Sequence, residues 1–207
     1  MYTLCWSPKG GSGTTVTAAT IALAASTATL VDLGGDAPGV LGLGTGGDGV
    51  LDWMRSGAEP DRLDDLAVDI DTSHHLWPTG RAGAVPARRW SVLANYLAER
   101  TDVIVDAGTT RRPPAPLLQR AQRRLMILRP CYLALRAASE AGVTPDGIIV
   151  INEAGRALSS NDVQGCLGVQ VVAEVMVDPS VARAVDAGLL TCRSPRSLAP
   201  IQRLSTP

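Results

Sequence analysis

No apolar stretch in this 207-residue sequence reaches the roughly 18 to 20 uninterrupted residues that spanning a bilayer requires, so no transmembrane helix is expected. Met1 leads into a short apolar run without a basic leader, which makes a cytoplasmic protein the expectation. Cysteine is sparse. Cys5, Cys131, Cys166 and Cys192 are widely spaced and form no CxxC pair, which disfavours zinc and dithiol motifs and leaves them as small buried hydrophobes. The net charge of -1 supplies no overall attraction to nucleic acid or to an anionic membrane. Lysine is nearly missing: of 19 basic residues only Lys9 is a lysine, and every other one is arginine.

What is present suits one packed domain, with 45% hydrophobic and 19% charged residues and no low-complexity tract. Charge is unevenly spread. Acidic residues dominate from Asp32 to Asp71, and arginines dominate from Arg81 to Arg136, including the pairs Arg88/Arg89, Arg111/Arg112 and Arg123/Arg124. These arginines are either a basic face or ordinary solvated helix residues.

Tyr2 to Trp6 reads as a strand, followed by a glycine-rich turn and an alanine-rich helix from Thr15 to Ala25. Ala28 to Val31 is a second strand ending in Asp32. The glycine-rich stretch from Gly34 to Gly49 predicts a long irregular loop, with a short amphipathic helix at Val50 to Arg55. Leu66 to Ile70 and His75 to Trp77 are weak strands around a turn, in which His74 and His75 read as a solvated pair. A helix is predicted from Ala87 to Glu99, and the β-branched run Asp102 to Val105 predicts a buried strand that ends at Asp106 and feeds the loop Ala107-Gly108-Thr109-Thr110. Helices at Pro116 to Arg123, Tyr132 to Ala141, Ser160 to Leu167 and Ser180 to Ala187 then alternate with strands at Leu125 to Leu128, Gly147 to Ile151 and Val169 to Ala173. Short apolar strands with helical crossovers imply an α/β fold, a mostly parallel sheet covered by helices on both faces. Ligands then bind at the carboxyl ends of the strands.

The chemistry concentrates in Ser7-Pro8-Lys9-Gly10-Gly11-Ser12-Gly13-Thr14-Thr15, between the first strand and the first helix. Gly10, Gly11 and Gly13 permit a backbone whose N–H groups converge on phosphate oxygens, and the helix N-terminus adds partial positive charge. The Thr15 hydroxyl, at the start of the helix, is placed to ligate Mg²⁺ bridging two phosphates. Thr14 occupies the position at which the usual phosphate loop carries lysine, so it cannot neutralise phosphate charge. Trp6 is a pocket wall or a core residue.

This segment resembles the ParA/MinD group of P-loop ATPases, whose signature is Lys-Gly-Gly-x-Gly-Lys-(Thr/Ser)-Thr. Lys9 matches the first lysine of that deviant Walker A motif, which the group uses to contact nucleotide across a dimer interface. A small residue in place of the second lysine, as at Thr14, is similar to the CpaE/TadZ branch associated with Tad (type IVc) pilus assembly. The resemblance implies a P-loop NTPase fold over residues 1–190 with a C-terminal tail over 191–207; in departure from many of those relatives, a receiver-like N-terminal domain is not expected here. Asp32 matches the first acid of the switch I Asp-x-Asp motif. The second acid, which orients the attacking water, falls on Gly34, with Asp36 as a substitute within reach. Asp106 matches the Walker B acid that holds Mg²⁺ through water. Asn152 matches a position that contacts adenine, and Val177, Asp178 and Pro179 resemble the base-facing loop. Asp32, Asn152 and Asp178 have an alternative reading as caps of turns or helices.

The resemblance thus implies a protein that binds ATP with Mg²⁺, dimerises around two nucleotides and positions a larger pilus, secretion or partition assembly, with slow hydrolysis at most. Two alternatives remain: a DNA-partitioning ATPase using the arginine-rich half as a DNA surface, and a nucleotide-independent scaffold. A direct membrane anchor is not expected, because Pro195, Pro200 and Pro207 interrupt any amphipathic helix after Leu190.

Overall fold

The computed structural model describes residues 1–44, 46–192 and 195–205. Its first unit is strand β1 (Tyr2–Ser7), the phosphate-loop turn and helix α1 (Thr14–Ala24), followed by β2 (Ala28–Asp32). Short helices α2 (Ala37–Leu41) and α3 (Val50–Ser56) and a 3-10 turn (Pro60–Leu66) lead to β3 (Val68–Asp69) and β4 (His74–Trp77). Helix α4 (Ala87–Ala98) precedes β5 (Val103–Thr109). The second half alternates strictly: α5 (Ala115–Arg120), β6 (Arg123–Leu128), α6 (Tyr132–Glu140), β7 (Gly147–Asn152), α7 (Ser160–Leu167), β8 (Val171–Met176) and α8 (Pro179–Asp186).

Among the described residues eight strands form one sheet in the order β3-β4-β2-β5-β1-β6-β7-β8, in which only the β3/β4 pair is antiparallel. The α/β architecture expected from the alternation is therefore present. Helices cover both faces because each strand places successive side chains on opposite sides. Leu4, Trp6, Val31, Val103, Val105, Met126, Leu128, Ile148 and Val150 pack toward α3 to α7. Cys5, Leu30, Ile104, Leu125, Ile127, Ile149, Ala173 and Val175 pack toward α1, α2 and α8. Each large aliphatic side chain buried in these layers stabilises the fold by roughly 1.5 to 3 kcal/mol.

Register places the two buried aspartates together. Asp32 on β2 and Cys5 on β1 both align with Asp106 on the intervening β5. The strand runs to Thr109, three residues past Asp106, where the sequence suggests a loop, because one extra residue in β5 opposite Cys5 to Ser7 lets Thr109 pair with Ser7.

Other expectations are corrected. Helix α2 lies inside the stretch predicted as irregular; Pro38 near its start and Gly42 just past its end are the local signals for it. The last strand begins at Val171 rather than Val169, because Gly168 closes α7 in the left-handed conformation and the chain needs Val169 and Gln170 to re-enter the sheet. Arg123 belongs to β6, not to the preceding helix. Only Cys5 is a buried cysteine; Cys131 is half-buried, and Cys166 and Cys192 are exposed. His74 is buried rather than solvated. Its Nδ1 lies 2.9 Å from the Asp71 carboxylate and its Nε2 3.1 Å from the Ala25 carbonyl.

Beyond α8, a 3-10 turn (Arg196–Leu198) and helix α9 (Ala199–Gln202) pack against α1 and β8, burying Leu198 and Ile201. Between this segment and the sheet, α1 is buried on nearly every side. Its contacting residues are small: Thr17, Ala18, Ala19, Thr20 and Ala22, with Ile21. Among the described residues no helix is long and apolar enough to cross a membrane.

Candidate functional site

The turn between β1 and α1 is held from within. Ser7 Oγ and Ser12 Oγ both donate to the Lys9 carbonyl, at 2.8 and 2.7 Å, and the Thr110 N–H donates to the Ser7 carbonyl at 2.9 Å. Gly11 and Gly13 adopt φ of 75° and 79°, a left-handed conformation that an L side chain rarely takes. Gly13 is also the N-cap of α1, and no side chain caps that terminus. The first-turn N–H groups of an α-helix have no acceptor within the helix, so this end offers unpaired donors and the positive end of the helix dipole.

These donors open into a cleft of about 470 Å³ at the carboxyl ends of three strands. Gly11 to Val16 come from the turn after β1 and the start of α1, Leu33, Gly34, Asp36 and Val40 from the segment after β2 and from α2, and Ala107 to Thr109 from the last residues of β5. Gly34 and Gly108 cross at backbone contact: a Cβ on Gly34 would stand 3.0 Å from the Gly108 Cα.

Two carboxylates lie beneath. Asp32 is fully buried and takes three main-chain donors, from Gly34 at 3.0 Å and Gly35 at 2.7 Å on one oxygen and from Ala37 at 3.2 Å on the other. Burial raises its pKa, and those three bonds oppose the rise. Its geometry is that of an anchor for the loop carrying Asp36 and α2, the cap reading left open by the sequence. Asp106 is also fully buried. Its Oδ1 accepts the Gly108 N–H at 2.9 Å, while Oδ2 has no hydrogen-bond donor among the described residues. Burial lifts Asp106 to about 6; the Thr15 side chain and the Gly108 amide work against the rise, and Asp32 adds to it.

An orphaned buried acceptor is costly unless a ligand completes it. The Asp106 carboxylate and the Thr15 hydroxyl that interacts with it, under an anion-binding helix terminus, are hard oxygen donors that fit Mg²⁺ arriving with phosphates. Among the described residues no cluster of three or more His, Cys, Asp or Glu could hold a metal alone, so such an ion would depend on the phosphates for its remaining ligands.

The structure thus gathers Gly11, Ser12, Gly13, Thr14, Thr15 and Asp36 in the cleft, with Asp106 behind its wall. Gly10 lies at its edge, with its Cβ position 3.7 Å from Thr109 Oγ1. Lys9 is exposed and outside the lining, its side chain free of ion pairs among the described residues. Trp6 is core, fully buried.

Asn152, Val177, Asp178 and Pro179 form a second group at the ends of β7 and β8. The Val177 N–H donates to the Asn152 carbonyl at 2.6 Å. Asp178 caps α8 by accepting from the Ser180 N–H at 2.8 Å and also accepts from Ser197 Oγ at 2.8 Å, bonds that hold its pKa low. Met176 and Val177 are exposed there, at 50% and 44%. Leu33 and Val40 are cleft residues that the sequence does not single out; their signal is a position within the long loop after β2.

No protein-family model and no curated protein sequence matches the chain. Solved structures do. A ParA family ATPase from Chlorobium tepidum superposes with a TM-score of 0.78 at 19% identity, covering 98% of each chain. MinD from Aquifex aeolicus gives 0.77 at 16% identity, covering 99% of this chain and 94% of its own. An ATP complex of a McdA variant from Cyanothece gives 0.69 at 18% identity, covering 99% and 95%. The chain therefore has the P-loop NTPase fold seen in ParA- and MinD-type ATPases over its whole described length.

Proposed function

We propose that this protein is an ATP-binding switch of the ParA/MinD family, close to its CpaE/TadZ branch, that dimerises around two nucleotides and positions a pilus or secretion assembly from the cytoplasm. The observation that carries the reading is the uncapped N-terminus of α1 opening on a cleft backed by the orphaned Asp106 Oδ2. Phosphates would rest on the Gly11 to Thr15 amides. Thr15 and Asp106 would hold Mg²⁺, which supplies charge neutralisation that Thr14 cannot. Toward β7 and β8, exposed Met176 and Val177 beside the Asn152 amide offer an apolar platform with one polar group, the chemistry a purine base requires.

Hydrolysis is slow or absent in this reading. Position 14 carries no cation, Asp32 is engaged by its own loop, and the position expected to orient water is Gly34. Among the described residues Asp36 is the one carboxylate in the cleft lining. The exposed Lys9 would reach the nucleotide of a second copy.

The arginine-rich half favours this reading over DNA binding, because many of its guanidinium groups already have acidic partners. Arg81 meets Asp48 and Asp52, Arg100 meets Asp64, Arg124 meets Asp146, and Arg129 meets Glu153. Arg89 is buried with its guanidinium 3.9 Å over the Trp53 ring. Calorimetry tests the proposal: Mg-ATP binding by the wild type that is weakened in Thr15→Ala supports it, and unchanged affinity in that folded variant would refute the metal assignment.

A further inference from the structure

The side chains around Asn152 close a small ring. Asn152 lies opposite Met176, and two residues earlier Val150 lies opposite Glu174, so Asn152 and Glu174 share one face of the sheet. Asn152 Nδ2 donates to Glu174 Oε1 and, at 3.3 Å, to Ser160 Oγ, and the Ser160 hydroxyl donates to Glu174 Oε2 at 2.6 Å.

We propose that Glu174 and Ser160 are positioning residues that lock the Asn152 amide with its Oδ1 toward the nucleotide base, and so make the site select adenine over guanine. This rests on the nucleotide reading above. The orientation follows from valence. An ionised carboxylate only accepts, so the Asn152 atom facing Glu174 must be the nitrogen. Both Nδ2 hydrogens are then used, and Oδ1 is the group left to meet a ligand. An amide oxygen accepts from the exocyclic amino group of adenine. Guanine presents a carbonyl at that position, so two acceptors would face each other. A site that offers one fixed acceptor favours the base that donates to it and disfavours the base that sets a second acceptor against it. Without the ring, the Asn152 amide can rotate and offer Nδ2 to the guanine carbonyl instead.

Competition of ATP and GTP against a fluorescent ATP analogue tests this in wild type, Glu174→Ala, Glu174→Gln, Ser160→Ala and Asn152→Ala, with thermal melting recorded for each. The expected wild-type preference for ATP is roughly tenfold or more, the scale of one hydrogen bond gained against one acceptor left opposed. Glu174→Ala and Ser160→Ala should narrow the preference, mainly by improving GTP binding. Glu174→Gln, which keeps an acceptor, should retain more of it than Glu174→Ala, and Asn152→Ala should abolish it. A merely structural role would weaken both nucleotides alike and leave their ratio unchanged. A wild type that binds ATP but not in preference to GTP refutes the lock alone, as does a preference that survives in both Glu174→Ala and Asn152→Ala. A wild type that binds neither nucleotide refutes the proposed function and the lock together.

Discussion

Replacing Asp106 with asparagine should stabilise the free protein while removing its Mg-ATP binding. Burial is the main reason the Asp106 carboxyl titrates at about 6 rather than 3.8, so its charged form is disfavoured in the fold. Below about pH 4 the group is mostly protonated in both folded and unfolded chains, and its burial then costs the fold little. As pH rises through 6 the folded protein must ionise a buried carboxyl that the unfolded chain ionises freely, and about 3 kcal/mol of stability is lost. Asparagine has nearly the same shape, keeps an oxygen for the Gly108 N–H and carries no charge. Urea unfolding at pH 7.5 should therefore show a gain of up to about 3 kcal/mol, or roughly 6 to 12 °C in melting temperature for a domain of this size. Near pH 4 the gain should fall below about 1 kcal/mol. Mg-ATP should raise the melting temperature of the wild type and leave that of Asp106→Asn unmoved. A gain of equal size at both pH values, or a loss at pH 7.5, would refute the assignment of Asp106 as a destabilising buried charge.

Sedimentation of Lys9→Ala and Lys9→Arg should show ATP-dependent dimerisation weakened roughly ten- to a hundredfold, the scale of one charge-assisted contact; wild-type dimerisation in both would refute a role across the interface. Arginine is expected to fail because its planar fork needs more room beside packed glycines than the lysine ammonium does. Phosphate release should stay well below the roughly 1 to 100 s⁻¹ of efficient phosphoryl-transfer enzymes, and Thr14→Lys should not restore it, since Gly34 still supplies no carboxylate; robust turnover by the purified protein would contradict this. Gly42→Ala should destabilise the fold by roughly 2 to 4 kcal/mol, because the residue has φ of 70° and its Cβ would fall 2.3 Å from the Gly188 carbonyl oxygen. A loss within the roughly 0.5 kcal/mol of an ordinary surface change would refute that close approach.

The first strand, the glycine turn and the buried run ending at Asp106 are legible in the sequence because each is a short-range pattern. Apolar alternation, consecutive glycines and a terminal acid need no knowledge of distant partners. Asp32 is legible as an acid at a strand end, but its partners are amides of residues two to five positions later, in a loop whose path the sequence leaves open. Helix α2 escapes notice because five residues are too few for periodicity to register, and only its flanking proline and glycine mark it. The Glu174–Ser160–Asn152 ring is invisible to a linear reading, since it joins β7, β8 and the start of α7 through sheet register. The two-residue offset at the start of β8 has the same origin: Val169, Val171 and Ala173 alternate like one face of a strand across Gln170, and register alone separates strand from connector.

The burial of α1 on nearly every side bears on how a ligand would be received. A helix with a solvent face can fray from its first turn and must be ordered when an anion docks. Here small side chains seat α1 against the sheet on one side and against α9 on another, so its first turn stands ready without ligand. Little conformational entropy then remains for phosphate to remove, and more of the contact energy appears as affinity. The amides of α1 beyond its unpaired first turn should accordingly exchange slowly with solvent deuterium in the free protein, and the protection gained on binding should concentrate in the Gly11 to Thr15 amides and in the segments after β2 and at the end of β5.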